Sequence, residues 1–265
     1  MAFPRTLPEG STTLPGVGNV VAVSSAKGGV GKSTVAVNLA LACVREGARV
    51  GLLDADIYGP SLPVITGLRE EPEVRGGDRI QPLQAHGMAL MSMGFLAGQD
   101  APVVWRGPLL AQAVQQFLQQ VDWGELDILV LDLPPGTGDI PLTLSQAVAM
   151  SGAVVVTTPQ DVALQDVERG MAMFDKVDVD ILGLVENMSY YLCPHCDKRH
   201  EVFGHGGGRR IAERLELDFL GEIPLDGMIR EGGDNGRPTL LAEPDSARGA
   251  AFTAIARGVV SALAG

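Results

Sequence analysis

The apolar residues of this chain fall into short unbroken runs separated by longer stretches with helical spacing. Runs at 20–25, 49–54, 127–132, 153–158, 181–187 and 219–223 are bounded by turn-forming residues and read as strands buried on both faces. Segments 33–46, 107–121, 141–150, 161–175, 209–216 and 245–263 carry the apolar spacing of helices. Strand and helix alternate, which predicts an α/β fold: a doubly wound, mostly parallel sheet with helices on both faces. Residues 1–19, rich in Pro and Gly and without periodicity, read as a flexible leader, and 20–265 as one domain. Segment 66–104 is irregular; within it Ile80-Gln-Pro-Leu83 and Met88 to Met91 predict a short hairpin. Ligands of doubly wound sheets bind beyond the carboxyl ends of the strands, so chemistry is expected in the loops that follow them.

Composition narrows the class. A chain of 265 residues with 46% hydrophobic content can bury a substantial core. No apolar stretch reaches the ~18–20 residues of a membrane span, and the N-terminus lacks the apolar core of a signal peptide. The three cysteines, Cys43, Cys193 and Cys196, do not suggest a disulfide framework. A cytoplasmic, reducing location without a membrane partner is expected. The net charge of −12 argues against a nucleic-acid partner.

The richest loop is Ser25-Ala26-Lys27-Gly28-Gly29-Val30-Gly31-Lys32-Ser33-Thr34. It follows an apolar strand and opens a helix. In that setting a glycine loop cradles phosphates with its backbone N–H groups, Lys32 adds a positive charge and Ser33 offers its hydroxyl to Mg²⁺. Two of the chain's four lysines, Lys27 and Lys32, lie in it. The strict phosphate-loop pattern fails at its first glycine, which is Ala26.

Lys-Gly-Gly-Val-Gly-Lys-Ser resembles the deviant Walker A class of P-loop NTPases, which includes MinD, ParA and the nitrogenase iron protein. The resemblance implies ATP binding and a nucleotide-dependent homodimer. Lys32 is then the phosphate lysine, and Lys27 the signature lysine that reaches the nucleotide of the other subunit. Family members commonly have Gly where Ala26 stands. The extra methyl is tolerated if that residue keeps φ < 0.

Other strand ends supply carboxylates. Asp54 and Asp56, on alternating positions after the second strand, can both reach a Mg²⁺–phosphate centre. Asp56 is favoured for positioning the attacking water and Asp54 for the Mg²⁺ shell, with the roles exchangeable. Ile128-Leu-Val-Leu-Asp132 has a Walker B pattern that places Asp132 near Mg²⁺. The Pro-Pro-Gly-Thr-Gly stretch after it reads as a γ-phosphate switch, and Asp139 serves equally well as a helix N-cap. Asn187 ends another strand with an amide able to pair with a base edge; in the deviant Walker A family an Asn at this point contacts adenine. Asp226, in Ile-Pro-Leu-Asp, is a further candidate for closing over the base, or an ordinary turn residue.

Cys193-Pro-His-Cys196 places two thiols on one side of a turn. Two ligands do not complete a four-coordinate site. A two-fold axis beside the loop would join the pairs of two subunits. Alternatively His200 and His205 complete a Cys₂His₂ zinc site in one chain. A thioredoxin-like role ranks third, because the flanking residues do not open a helix. Cys43 reads as a buried free cysteine.

The motifs Lys-Gly-Gly-Val-Gly-Lys-Ser, Asp-Ile-Tyr-Gly-Pro-Ser, Asp-Leu-Pro-Pro-Gly-Thr-Gly-Asp, Val-Glu-Asn-Met-Ser and Cys-Pro-His-Cys occur in this order. Together they look like the Mrp/ApbC group of iron–sulfur carrier ATPases. The resemblance implies a 4Fe–4S cluster bridging Cys193 and Cys196 of two subunits, weak ATP hydrolysis and transfer of the cluster to iron–sulfur apoproteins. It does not require histidines at 200 and 205. Many bacterial members carry an additional small N-terminal domain, which this chain is expected to lack. Two rival readings are a MinD- or ParA-like positioning ATPase and a zinc-stabilised nucleotide switch. The first needs a basic amphipathic tail or a basic DNA face. The stretch from Ala250 to Gly265 offers Arg257 as its single charge.

Overall fold

The computed structural model describes residues 14–56, 59–76, 79–96, 118–136, 138, 142, 144 and 148–264. In chain order the elements are β1 (Val20–Ser24), α1 (Lys32–Arg45), β2 (Val50–Asp54), α2 (Leu62–Thr66), β3 (Val74–Arg75), β4 (Arg79–Ile80), β5 (Leu83–Ala85) and β6 (Met88–Ser92). There follow β7 (Ile128–Asp132), β8 (Gly152–Thr157), α3 (Asp161–Asp175), β9 (Ile181–Glu186), β10 (Tyr191–Leu192), β11 (Arg199–His200) and α4 (Gly207–Arg214). The chain closes with β12 (Phe219–Glu222), α5 (Gly227–Asp234), α6 (Thr239–Ala242) and α7 (Ala247–Leu263).

Among the described residues the main sheet has eight strands in the order β12-β9-β8-β1-β7-β2-β6-β5. Every neighbouring pair is parallel except β5 with β6. The strands' continuous apolar runs have a simple cause: both faces are covered. Val21, Val23, Leu52, Leu90 and Val130 pack with α1 and α7 in one core, while Val20, Ala22, Leu53, Met91 and Leu131 point into a second with Leu118, Trp123 and Phe174. Alternate side chains therefore enter opposite cores, as the period of two in a strand requires.

The six predicted strands are present with boundaries shifted by a residue or two. The hairpin expected in 66–104 forms between β5 and β6, but β6 also pairs in parallel with β2, from Val50↔Met88 to Asp54↔Ser92, and so joins the main sheet. Arg79–Ile80 instead pairs with Val74–Arg75 in a separate ribbon. The leader expected over 1–19 ends differently too. Leu14 and Val17 are buried, and Gly18 donates its N–H to Leu126 O at 2.8 Å. The expected helices at 107–121 and 141–150 lie largely outside the described residues. No helix among the described residues is long and apolar enough to cross a membrane.

β1 lies between β7 and β8, flanked further out by β2 and β9. The carboxyl ends of these strands, at Ser24, Asp54, Asp132, Thr157 and Glu186, form one edge of the sheet.

Candidate functional site: a phosphate loop and a cysteine hairpin

The loop after β1 is shaped by glycine. Gly29 and Gly31 hold φ of +80° and +82°, a conformation that costs side-chain-bearing residues energy. A Cβ on Gly31 would overlap the Asn187 amide, whereas Gly29 faces open space. Ala26 is not among the residues with positive φ, and its methyl lies toward Gly170 of α3. The departure from the expected glycine therefore carries no backbone strain. α1 begins at Lys32 with no side-chain cap, so its first N–H groups remain for an anion. The segment after β7 is tied to this loop by Gly136 N–H, which donates to Ser25 O at 2.8 Å. Thr137 and Asp139 lie outside the described residues.

Lys32 is buried and pairs with Asp132, and its Nζ lies 3.4 Å from Ser33 Oγ. Asp54 is buried in register beside Asp132 on the neighbouring strand. Burial, and then the Asp132 charge, push the Asp54 carboxyl up to about 7, against the pull of the Leu62 and Asp56 N–H groups and of Lys32. Burial likewise raises Asp132, opposed by Lys32 and by a hydrogen bond from the Ser33 hydroxyl. With both carboxylates ionised, one ammonium leaves an excess negative charge. A divalent cation suits that imbalance, and Ser33, Asp54 and Asp132 are the residues that would hold Mg²⁺ or its waters. Asp54 has a second task. Its Oδ1 accepts from Asp56 N at 3.0 Å; its Oδ2 accepts from Ser61 N at 3.0 Å, Leu62 N at 3.1 Å and Ser92 Oγ at 3.2 Å. It thus fixes the loop into α2. Asp56 is half-buried and accepts from Gly59 N at 3.3 Å.

Lys27 forms an ion pair with Asp166 of α3 at 2.7 Å, and Lys27 is the first cause holding the Asp166 carboxyl below its usual range. Asn187 Nδ2 donates to Val30 O at 2.8 Å. Beside it opens a cavity of about 450 Å³ lined by Gly31, Thr34, Asn187, Pro224, Leu225 and Asp226, among others. Asn187 and Asp226 are thus brought together at the end of the phosphate loop, where a base would lie. Asp226 also caps α5 through Met228 N–H at 2.8 Å and pairs with Arg248 at 2.7 Å, which is the turn role read from the sequence.

Cys193 and Cys196 sit at the tip of the β10–β11 ribbon, with Cys193 N–H bonded to Lys198 O and Asp197 N–H to Cys193 O. Cys196 is exposed and Cys193 half-buried. The N–H of His195, then the Cys196 side chain and its N–H, lower the Cys193 thiol below its ordinary value, which favours the thiolate that binds metal. The histidines do not complete this pair. His200 lies against Tyr191, His205 pairs with Glu201 at 2.8 Å, and among the described residues no three His, Cys, Asp or Glu side chains gather as a metal site. Cys43 is buried, its thiol pushed up to about 12 by burial.

Sequence reasoning missed Asp166, the partner of Lys27, and also Glu186, Ser189, Arg199 and Glu222 around the base of the ribbon. The one available signal was Glu186, a charged residue inside an apolar strand.

A family model described as ParA: NUBPL iron-transfer P-loop NTPase matches residues 16–260. The iron-sulfur cluster transfer protein NUBPL of Dictyostelium discoideum is 49% identical over 252 residues, covering 94% of this chain and 78% of that protein. The iron-sulfur cluster carrier protein of Escherichia coli K12 is 50% identical over 252 residues, covering 95% and 67%. Among solved structures, the Archaeoglobus fulgidus nucleotide-binding protein in complex with ADP superposes with a TM-score of 0.75 at 41% identity, over 84% of this chain and 88% of that one. The Pyrococcus furiosus cell division ATPase MinD, at 23% identity and a TM-score of 0.69 over 91% and 98% of the two chains, shares the fold. The phosphate loop and strand-end aspartates thus stand within a shared architecture, and the chain belongs to the ParA/NUBPL family of iron-transfer P-loop NTPases.

Proposed function

We propose that this chain is an ATP-hydrolysing iron–sulfur cluster carrier: a cytosolic homodimer that holds a four-iron, four-sulfur cluster between the Cys193 and Cys196 pairs of its two subunits and passes it to apoproteins. The observation that carries this reading is the thiol pair at the ribbon tip. Cys196 is exposed, Cys193 is biased toward thiolate, and among the described residues no third ligand gathers with them, so a second copy supplies the other two. The names of the relatives at about half identity support the same cargo.

The nucleotide is ATP, with its base in the cavity beside Asn187 and Asp226 and its phosphates on Gly28–Thr34. Mg²⁺, when bound, neutralises phosphate charge. In hydrolysis water attacks the γ-phosphorus and the bond to the ADP oxygen breaks. Asp56, the more accessible aspartate, orients that water. Lys32 turns from Asp132 to the phosphates, and Lys27 leaves Asp166 to meet the nucleotide of the partner. Preorganised positive charge of this kind stabilises the charge that develops on the transferred group.

Anaerobic reconstitution with iron and sulfide, followed by metal counting, tests the proposal. About four irons per dimer are expected, and none in Cys193→Ala or Cys196→Ala. Stoichiometric metal retained by both variants would overturn it.

A further inference from the structure

The cysteine ribbon is not simply appended to the domain: polar side-chain contacts run from its base to Glu186, and one backbone step from there, through Asn187, reaches the phosphate loop. Glu186, the last residue of β9, is fully buried. One of its oxygens accepts from the N–H of Gly208 at the start of α4; the other accepts from Ser189 Oγ at 2.6 Å. Glu186 therefore grips both ends of the segment that contains the ribbon. Its neighbour Asn187 grips the phosphate loop through Val30 O at 2.8 Å. From Ser189, also fully buried, the line continues to Glu222 Oε2 at 3.0 Å. Glu222 receives both guanidinium arms of Arg199, at 2.8 and 3.1 Å. Arg199 lies on β11, its guanidinium 4.0 Å from the centre of the Tyr190 ring. It is also paired with Leu192, the residue before Cys193.

Two features make this line a switchable one. Ser189 has a single O–H proton and stands between two carboxylates, so its hydroxyl donates to one of them at a time. The fork of Arg199 on Glu222 is planar and bidentate, so it fixes the orientation of β11 rather than merely its distance. Were nucleotide binding to shift Asn187, Glu186, the adjacent residue on the same strand end, would move with it. Re-aiming Ser189 would then alter the hold of Glu222 on Arg199.

We propose that Ser189, Glu222 and Arg199 are positioning residues that transmit the state of the phosphate loop to Cys193 and Cys196. This rests on the reading of those cysteines as the cargo site, but its test does not need a cluster. In apo-protein, the rate of maleimide labelling at Cys193 and Cys196 is measured with and without Mg-ATP, with buried Cys43 as the internal control. In the parent protein, ATP is expected to change the rate by ~5-fold or more, at the low end of typical coupling between sites. In Ser189→Ala and Arg199→Gln, the ratio is expected to fall to about one while affinity for a fluorescent ATP analogue is unchanged. Arg199→Lys, which keeps the charge but not the fork, is expected to restore only part of it. A merely structural role would alter labelling equally with and without ATP. An unresponsive parent, or variants that keep the parental ratio, would overturn the inference. Failure of the cargo reading would appear separately, as absence of iron after reconstitution of the parent.

Discussion

The two ends of this molecule prepare their reactive groups by opposite means. At the phosphate loop Lys32, Asp54 and Asp132 are buried at the sheet edge, and desolvation dominates: it raises both Asp54 and Asp132, and Lys32 answers the charge. At the cysteine ribbon Cys196 is exposed and Cys193 half-buried, and hydrogen bonds dominate: the His195 N–H, then the Cys196 side chain and N–H, lower Cys193. The nucleotide end is therefore part of the core, whereas the ribbon's tip carries chemistry with little share in folding. Substitutions should separate the two.

The largest effect is expected at Lys32. In Lys32→Ala the buried Asp132 loses its counter-charge beside Asp54, and breaking such a pair costs about 3–5 kcal/mol. Urea unfolding of the nucleotide-free variant should show this loss, and titration with a fluorescent analogue should show no ATP binding. Lys32→Ala combined with Asp132→Asn should recover most of the stability but none of the binding. A double variant no more stable than the single one would refute the pairing.

Next comes Gly31. With φ of +82°, alanine there pays about 1–2 kcal/mol of backbone strain. Its methyl also displaces the Asn187 amide and, with it, the bond to Val30, which contributes about 1 kcal/mol. Gly29→Ala carries the same strain, φ being +80°, but its Cβ meets open space. The difference in unfolding free energy between the two variants therefore isolates the Asn187 contact. Equal losses would show that Asn187 contributes nothing to holding the loop.

This contrast also explains what was legible in the sequence. The phosphate loop, Asp54 and Asp132 were readable because local order fixes them: each follows directly on an apolar strand. β6 was not readable as a sheet strand, since a five-residue run among Gly, Pro and Met acquires its meaning only from the register with β2. α5 was missed because three of its eight residues are glycine, against helix propensity; the Asp226 cap was its one local signal. Ser189, Arg199 and Glu222 come from separate elements, and nothing in local spacing announces their meeting. The pairing of Lys27 with Asp166 is invisible for the same reason, being a contact between a loop and a helix far along the chain.

The smallest effect on stability, and the sharpest test of the contrast, is expected at the ribbon tip. Cys196 is exposed, and surface substitutions away from special backbone or buried partners usually change stability by no more than about 0.5 kcal/mol. Cys196→Ser should therefore unfold with the parent in urea and bind ATP with parental affinity, yet hold no iron after reconstitution. Cys43→Ser is the converse. A hydroxyl placed in the apolar packing of α1 costs on the order of 1–3 kcal/mol where no partner receives it, and it should leave the iron content of the folded fraction unchanged. If Cys196→Ser instead lost stability as Lys32→Ala does, the ribbon would belong to the folding core, and the separation of cargo site from nucleotide site would fail.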